Sequence, residues 1–269
     1  MAGLAPAHGL VEGQGVGMSW HPDIPLEYRN QIVTGDAREL AKRIPDESVG
    51  LIVTSPPYNV RLNYEGYDDN LSNDKFIEFN QEWLIEALRV TCEGGRLYAI
   101  VSDSMLWWFK SEAEKIGWTF AQKLVWCKPN FVGSAGKITN DWNYMTEDIL
   151  LFRKGKRSPM KNGNTTTHNW FVETVPQSNY REGRIHPAQL PVSLCMRLLD
   201  RTPGEPTLDP FAGSGSVLLA AKILGRSYIG FELVDKVAER ARQRVQNTQP
   251  PLFVPQPQQL EFGATDEAG

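Results

Sequence analysis

Val49-Gly50-Leu51-Ile52-Val53 runs directly into Thr54-Ser55-Pro56-Pro57-Tyr58-Asn59, and the reading of this junction decides the fold. A short apolar run without alternation is the pattern of a strand buried on both faces, as in parallel sheets. The hexapeptide then stands where such a strand leaves the sheet, and open α/β sheets bind ligands beyond the carboxyl ends of their strands. Pro56 and Pro57 lack a backbone N–H and hold the residues before them extended, so the turn is stiff and rich in acceptors. The Ser55 hydroxyl and the Pro56 carbonyl can both accept hydrogen bonds, and Tyr58 adds a flat aromatic face. The matching guest is a planar group with an NH2 on its edge, such as cytosine or adenine. Taken alone, the stretch also reads as a proline-rich turn or a polyproline ligand.

Upstream, Gln31 to Thr34 reads as a strand ending at Gly35-Asp36, and Ala37 to Arg43 as a short helix with Asp36 as its N-cap. Residues 1–25, rich in Gly, Ala and Pro, are expected to form a flexible arm. Downstream, Arg61 to Asp74 is a polar, aromatic loop, either a lid or plain surface. Phe76, Phe79, Trp83, Ala87 and Val90 recur at helical spacing as a core-facing stripe, with Gly94-Gly95 expected to end that helix. Strand and helix then alternate through Arg96–Val101, Met105–Ile116 and Phe120–Trp126, which predicts a doubly wound, mostly parallel α/β sheet. The rhythm breaks over 128–185, where only Asp148 to Phe152 reads as a strand; this segment is expected to be a small recognition insertion in a domain spanning 26–247. His186-Pro187-Ala188-Gln189-Leu190-Pro191 opens a helix running to about Asp200. The strand Thr207-Leu208 leads into Asp209-Pro210-Phe211-Ala212-Gly213-Ser214-Gly215-Ser216 and a helix from Val217. Strand, glycine turn and helix make a cradle of the nucleotide-binding kind. No Gly-Lys-Ser/Thr follows, so it is not a phosphate loop. Ser227 to Phe231 ends at Glu232, an acid placed to accept two ribose hydroxyls. Asp235 to Gln246 closes the fold, and 248–269, rich in Pro and Gln, is expected to be disordered.

The 269 residues carry a net charge of −4, but the charge is uneven. Lys123 to Arg184 holds ten basic and five acidic side chains, net +5, leaving −9 for the rest. Within it Arg153, Lys154, Lys156, Arg157 and Lys161 are candidate DNA contacts, or else a solvated basic surface. No apolar run is long enough to span a bilayer, and no signal peptide is expected. Cys92, Cys127 and Cys195 are odd in number and widely spaced, which fits a reducing cytoplasm and buried structural thiols, with no metal site. None follows a proline, so there is no candidate for the nucleophile of enzymes that methylate cytosine at ring carbon five.

The glycine cradle, the acid at a strand end and the Ser-Pro-Pro-Tyr turn together resemble the S-adenosylmethionine-dependent DNA amino-methyltransferases, over roughly residues 29 to 246. The order of motifs resembles the circularly permuted β group of that family. The resemblance implies S-adenosylmethionine as cofactor and double-stranded DNA as substrate. It places Asp209, Phe211, Gly213, Ser214 and Gly215 around the methionine half, and Glu232 at the ribose. Asp36 and Ala37 fall at the adenine, and His186 in the segment covering the methionine end. Ser55, Pro56, Pro57 and Tyr58 match the catalytic motif. Acceptors there would hold the two N–H bonds of a flipped-out base and turn its lone pair toward the methyl group, with no metal required. In the family Ser at position 55 points to cytosine N4 and Asp to adenine N6, so cytosine N4 is the expected target, with adenine N6 as the alternative. A different alternative is an inactive DNA-binding module with the same fold. The recognition site, a homodimer and a cognate restriction endonuclease are left open by the sequence.

Overall fold

A computed structural model describes residues 20–59, 63–64, 67–68, 70–130, 145–161, 168–177 and 188–249. The chain begins with β1 (Gln31–Thr34), α1 (Ala37–Leu40) and β2 (Val49–Thr54). Next come the two-residue strands β3 (Asn63–Tyr64) and β4 (Tyr67–Asp68), then α2 (Asn73–Val90), β5 (Thr91–Val101), α3 (Leu106–Ile116) and β6 (Thr119–Cys127). It continues through β7 (Thr146–Arg153), β8 (Trp170–Val172), α4 (Val192–Arg201), β9 (Thr207–Asp209), α5 (Ser216–Ile223), β10 (Tyr228–Glu232) and α6 (Asp235–Asn247).

Eight strands form one sheet in the order β1-β10-β9-β2-β5-β7-β6-β8. From β1 to β5 every pairing is parallel, whereas β7 runs antiparallel to both of its neighbours. All six residues of β2 are buried, as expected for a central parallel strand. Its side chains alternate between two cores: Val49 and Ile52 pack with Trp83, Leu84 and Phe109 of α2 and α3. Leu51 and Val53 face Leu194, Leu198 and Leu218 of α4 and α5. Helices on both faces make the sheet doubly wound, as the sequence predicts. After β2 the chain proceeds to β5 on one side; after β9 it proceeds to β10 on the other. The crevice between the carboxyl ends of β2 and β9 is therefore the topological switch point, where such sheets hold ligands.

Several sequence expectations shift. Gly94-Gly95 does not end α2. The helix stops at Val90 because Thr91 turns extended and returns its hydroxyl to the Ala87 carbonyl at 2.7 Å. The two glycines lie inside β5, at an irregular register opposite β2. The helix expected from His186 begins only at Val192, after Pro191; prolines suit the first turn but cannot continue an intrahelical ladder. The polar stretch before Trp170 leads into β8, which the sequence reading missed. Among the described residues of 128–185, β7 is an internal strand of the main sheet, between β5 and β6, and β8 lies at its edge. The boundary drawn at residue 25 cuts through packed structure: Ile24 and Tyr28 are fully buried, and Arg29 donates to the Pro22 and Ile24 carbonyls. Residues 1–19 of the expected arm, those beyond 249, and residues 61–62, 65–66 and 69 of the candidate lid lie outside the described residues. Among the described residues no helix is long and apolar enough to cross a membrane.

Gly50 is fixed by close approach. A Cβ there would be driven into the backbone of Gly204 and Glu205, the turn that delivers the chain into β9. Backbone cannot yield as a flexible side chain would, so Gly50→Ala is expected to destabilise the fold by about 2 kcal/mol or more, read as a lowered midpoint in urea unfolding.

Candidate active site

A cavity of about 560 Å³ opens at the carboxyl ends of the parallel strands. Four turns converge on it, each following one strand: Gly35–Arg38 after β1, Ser55–Tyr58 after β2, Pro210–Ser214 after β9 and Leu233-Val234 after β10. Sequence-distant motifs meet here because parallel strands all release their turns on the same edge.

Asp209 is the buried floor of the site. Its carboxylate accepts from the Thr54 hydroxyl at 2.7 Å and from the Phe211 N–H at 3.1 Å. Burial pushes its pKa up to about 7, against the pull of those two hydrogen bonds. Glu232 is also shifted upward by burial, and accepts from the backbone N–H groups of Gly213 at 2.9 Å and Val234 at 3.0 Å. Gly213 has φ +50, a left-handed conformation that disfavours a side chain. The protein itself leaves room there, since the nearest atom to a Cβ added at this position would be the Phe211 carbonyl oxygen at 3.9 Å. Ser214 is buried and lines the cavity. Gly215 does not line it; it takes φ +74 as the N-cap of α5 and packs against Ala241 and Val245.

Asp36 caps α1 through the Arg38 N–H at 2.9 Å. The Arg38 guanidinium grips the same carboxylate at 2.6 Å and holds it below its ordinary pKa. Arg38 also reaches Glu82 at 2.6 Å and lies 5.1 Å from the centroid of the Phe79 ring. Ala37 is buried in the same wall. Phe79 and Glu82, from α2, therefore belong to the cavity, whereas the sequence reading assigned Phe79 to the core stripe. His186 lies outside the described residues, although Ala188 and Leu190 just after it line the cavity.

In the Ser-Pro-Pro-Tyr turn, all four residues line the cavity. The Ser55 and Tyr58 hydroxyls are 3.0 Å apart, and Tyr58 also reaches Glu147 at 3.1 Å. Glu147 in turn pairs with Lys128 at 2.8 Å. Asn59 clasps Leu71 twice, accepting from its N–H at 2.8 Å and donating to its carbonyl at 2.9 Å. Neither Glu147 nor Lys128 stands out in the sequence, because no local motif links them to the turn.

The basic run is not brought to the cavity. Because β7 is antiparallel, its first residues stand at the cavity edge and Arg153 at the opposite one, a separation of roughly 17 Å along the strand from Asp148. Arg153 pairs in register with Arg96 in the middle of β5 and with Thr119, the first residue of β6. Lys154 binds Glu47 at 3.2 Å, the Lys156 N–H donates to Glu93 at 2.7 Å, and the Lys161 N–H donates to the Arg201 carbonyl at 2.9 Å. Arg157 is exposed on the same far edge. Strand direction thus sets these five residues apart from the Ser-Pro-Pro-Tyr turn.

The sequence pattern of the N6/N4 DNA methylase family matches residues 49–243 of this chain. The chain belongs to that family. The methylase is 28% identical over 236 residues to type II methyltransferase M.HpaI of Haemophilus parainfluenzae, covering 80% of this chain and 74% of that protein. It is 27% identical over 242 residues to the DNA adenine methyltransferase YhdJ of Escherichia coli K12, covering 78% and 81% respectively. Its fold superposes with a TM-score of 0.61 on TTHA0409 of Thermus thermophilus, solved with S-adenosyl-L-methionine, at 25% identity over 83% of this chain and 95% of that one. The methylase is an S-adenosylmethionine-dependent DNA methyltransferase, and the cavity suits that cofactor: a glycine turn at a helix start, a carboxylate at the next strand end and an aromatic wall.

Asp209 gives this cavity a pH signature. Its carboxyl is held protonated in the free protein below about pH 7, whereas a cationic ligand favours the ionised form. Since the folded-state pKa lies above the unfolded one, stability associated with the neutral acid is present at low pH and falls as pH rises through this window. Cofactor binding runs the opposite way. Affinity for S-adenosylmethionine is expected to rise with pH from 6 to 8, by at most about tenfold per unit below the pKa. Asp209→Asn should bind more weakly at pH 8 and lose that dependence, measured by calorimetry.

Proposed function

We propose that the methylase transfers a methyl group to the exocyclic N4 amine of a cytosine flipped out of double-stranded DNA. The observation that carries this reading is Ser55, a neutral hydroxyl rather than a carboxylate, on the wall of the cavity that also holds the glycine turn. Bound S-adenosylmethionine supplies a sulfonium methyl already activated for transfer. Asp209, Phe211, Gly213 and Ser214 hold its methionine half, Glu232 its ribose, and Asp36, Ala37 and Phe79 its adenine. Gly215 shapes the turn from behind. The target amine is a weak nucleophile because its lone pair is delocalised into the ring. Ser55 Oγ and the Pro56 carbonyl accept its two N–H bonds and turn the lone pair out of conjugation, while the Tyr58 face supports the base. This is catalysis by positioning and electrostatics, and a base inside a duplex cannot reach such a turn without flipping.

Adenine N6 is the second reading. A named adenine methyltransferase is 27% identical to this chain, and the Ser55 hydroxyl is engaged by Tyr58, which limits its freedom to donate to the ring nitrogen of cytosine. Acceptance from an amine is common to both bases. DNA methylated by the purified enzyme, digested to nucleosides and resolved by mass spectrometry, is expected to contain N4-methylcytosine. N6-methyladenine as the main product would replace the base and leave the rest of the mechanism in place. Because the basic run occupies the far edge, neutralising Arg153, Lys154, Lys156 and Arg157 is expected to leave the salt dependence of specific DNA binding unchanged. A slope reduced by about one per charge would place phosphates there after all.

A further inference from the structure

The Ser55–Tyr58 pair does not end at the tyrosine. The Tyr58 oxygen lies 3.0 Å from Ser55 Oγ, 3.1 Å from Glu147 Oε2 and 3.4 Å from the Ile100 carbonyl oxygen. The other Glu147 oxygen, Oε1, accepts from Lys128 Nζ at 2.8 Å. The lysine side chain is 5% exposed and the glutamate 21%. We propose that Glu147, anchored by Lys128, is a positioning residue: it sets the direction of the hydroxyl chain so that Ser55 meets the target amine as an acceptor. This inference rests on the methyltransferase reading and names the device that makes its serine competent.

Proton counting sets the direction of the chain. A phenol has one proton and a serine hydroxyl has one. Of these neighbours of the Tyr58 oxygen only Ser55 can donate to it, and of the acceptors the carboxylate is the strongest. The arrangement that satisfies them is Ser55 donating to Tyr58 and Tyr58 donating to Glu147. Ser55 then has no proton left to point at the base, and its lone pairs face an amine that has protons to give. If the carboxylate is removed, Tyr58 is free to donate to Ser55 instead. The serine proton can then turn toward the amine, donor against donor.

The anchor is built to keep Glu147 in place. Lys128 sits just past β6 and Glu147 just inside β7, on adjacent antiparallel strands, with the Lys128 N–H donating to the Met145 carbonyl at 2.7 Å. Lys128 Nζ also lies 5.6 Å from the centroid of the Trp126 ring. A buried lysine needs its partner, so one glutamate oxygen is committed to the cation while the other is turned to Tyr58.

The test is a double-mutant cycle on the full-length enzyme, reading the single-turnover rate of tritiated methyl transfer to DNA together with cofactor affinity and melting temperature. Glu147→Gln keeps the shape but supplies no carboxylate. It is expected to slow transfer on the order of tenfold to a hundredfold, with affinity for S-adenosylmethionine within about twofold of the parent. Tyr58→Phe breaks the chain by itself, so adding Glu147→Gln to it is expected to change the rate by less than about twofold. A merely structural pair would slow both backgrounds alike and lower the melting temperature in both. That result, or a parental rate in Glu147→Gln, overturns the proposal. Should Glu147→Gln fail to fold, Lys128→Gln provides the same comparison, with a smaller slowing that likewise vanishes in the Tyr58→Phe background. Absence of DNA methylation by the parent would remove the functional reading and this one together. Adenine as the methylated base would leave the hydroxyl chain standing, because it serves either amine.

Discussion

The hydrogen bond from Thr54 to Asp209, 2.7 Å long and fully buried, is the joint on which the site turns. It links the last residue of β2 to the last residue of β9, across the one place in the sheet where the chain departs in opposite directions. The Ser-Pro-Pro-Tyr turn begins at the next residue on one side, and the glycine turn at the next residue on the other. Neither strand is long: β9 has three residues, so little besides its neighbours fixes where it ends. Leu51 and Ile52 register against Thr207 and Leu208, and the Thr54–Asp209 bond extends that register into the crevice. A threonine serves here because its methyl packs in the sheet while its hydroxyl satisfies a carboxylate that would otherwise lie buried with too few donors.

Three carboxylates stand at three strand ends around one cavity, and their environments pull them apart. Asp36 is held low by the Arg38 guanidinium, while Asp209 and Glu232 are pushed up by burial. Asp36 is thus an ion with its own counter-ion. The other two are acids whose charge is unfavourable until a ligand brings positive charge or hydroxyl donors.

Much of the sheet and the turns that line the cavity are legible in the sequence because each is written locally. An apolar run predicts β2, Asp209 to Ser216 spells a strand–turn–helix junction, and Glu232 ends a run that can only be a strand. What is not legible depends on relations between distant strands. The ten-to-five charge excess around β7 is read correctly as charge, but composition carries no strand direction and cannot say which edge of the sheet receives it. Gly94-Gly95 looks like a helix stop, yet Thr91 ends the helix first. Phe79 falls on the same helical stripe as Trp83, and only the angle of α2 decides that it faces the cavity while Trp83 is buried.

Glu147 shows the same dependence in its sharpest form. In an all-parallel sheet every strand presents its carboxyl end to the ligand edge, and β7 would have delivered Phe152 and Arg153 there. Its reversal delivers Thr146, Glu147 and Asp148 instead, and brings the end of β6 alongside. Register does the rest: Glu147 pairs with Trp126 and Thr146 with Cys127. A slip of one residue would turn Glu147 to the opposite face of the sheet, away from Tyr58, and would present Thr146 or Asp148 in its place. Neither substitutes, since a threonine cannot supply a carboxylate and an aspartate has a shorter reach. Asp148 is in any case paired with Lys123 at 3.1 Å. The charge behind Ser55 is therefore a consequence of topology: one antiparallel strand, in one register, places an acid beside a turn to which no sequence motif connects it.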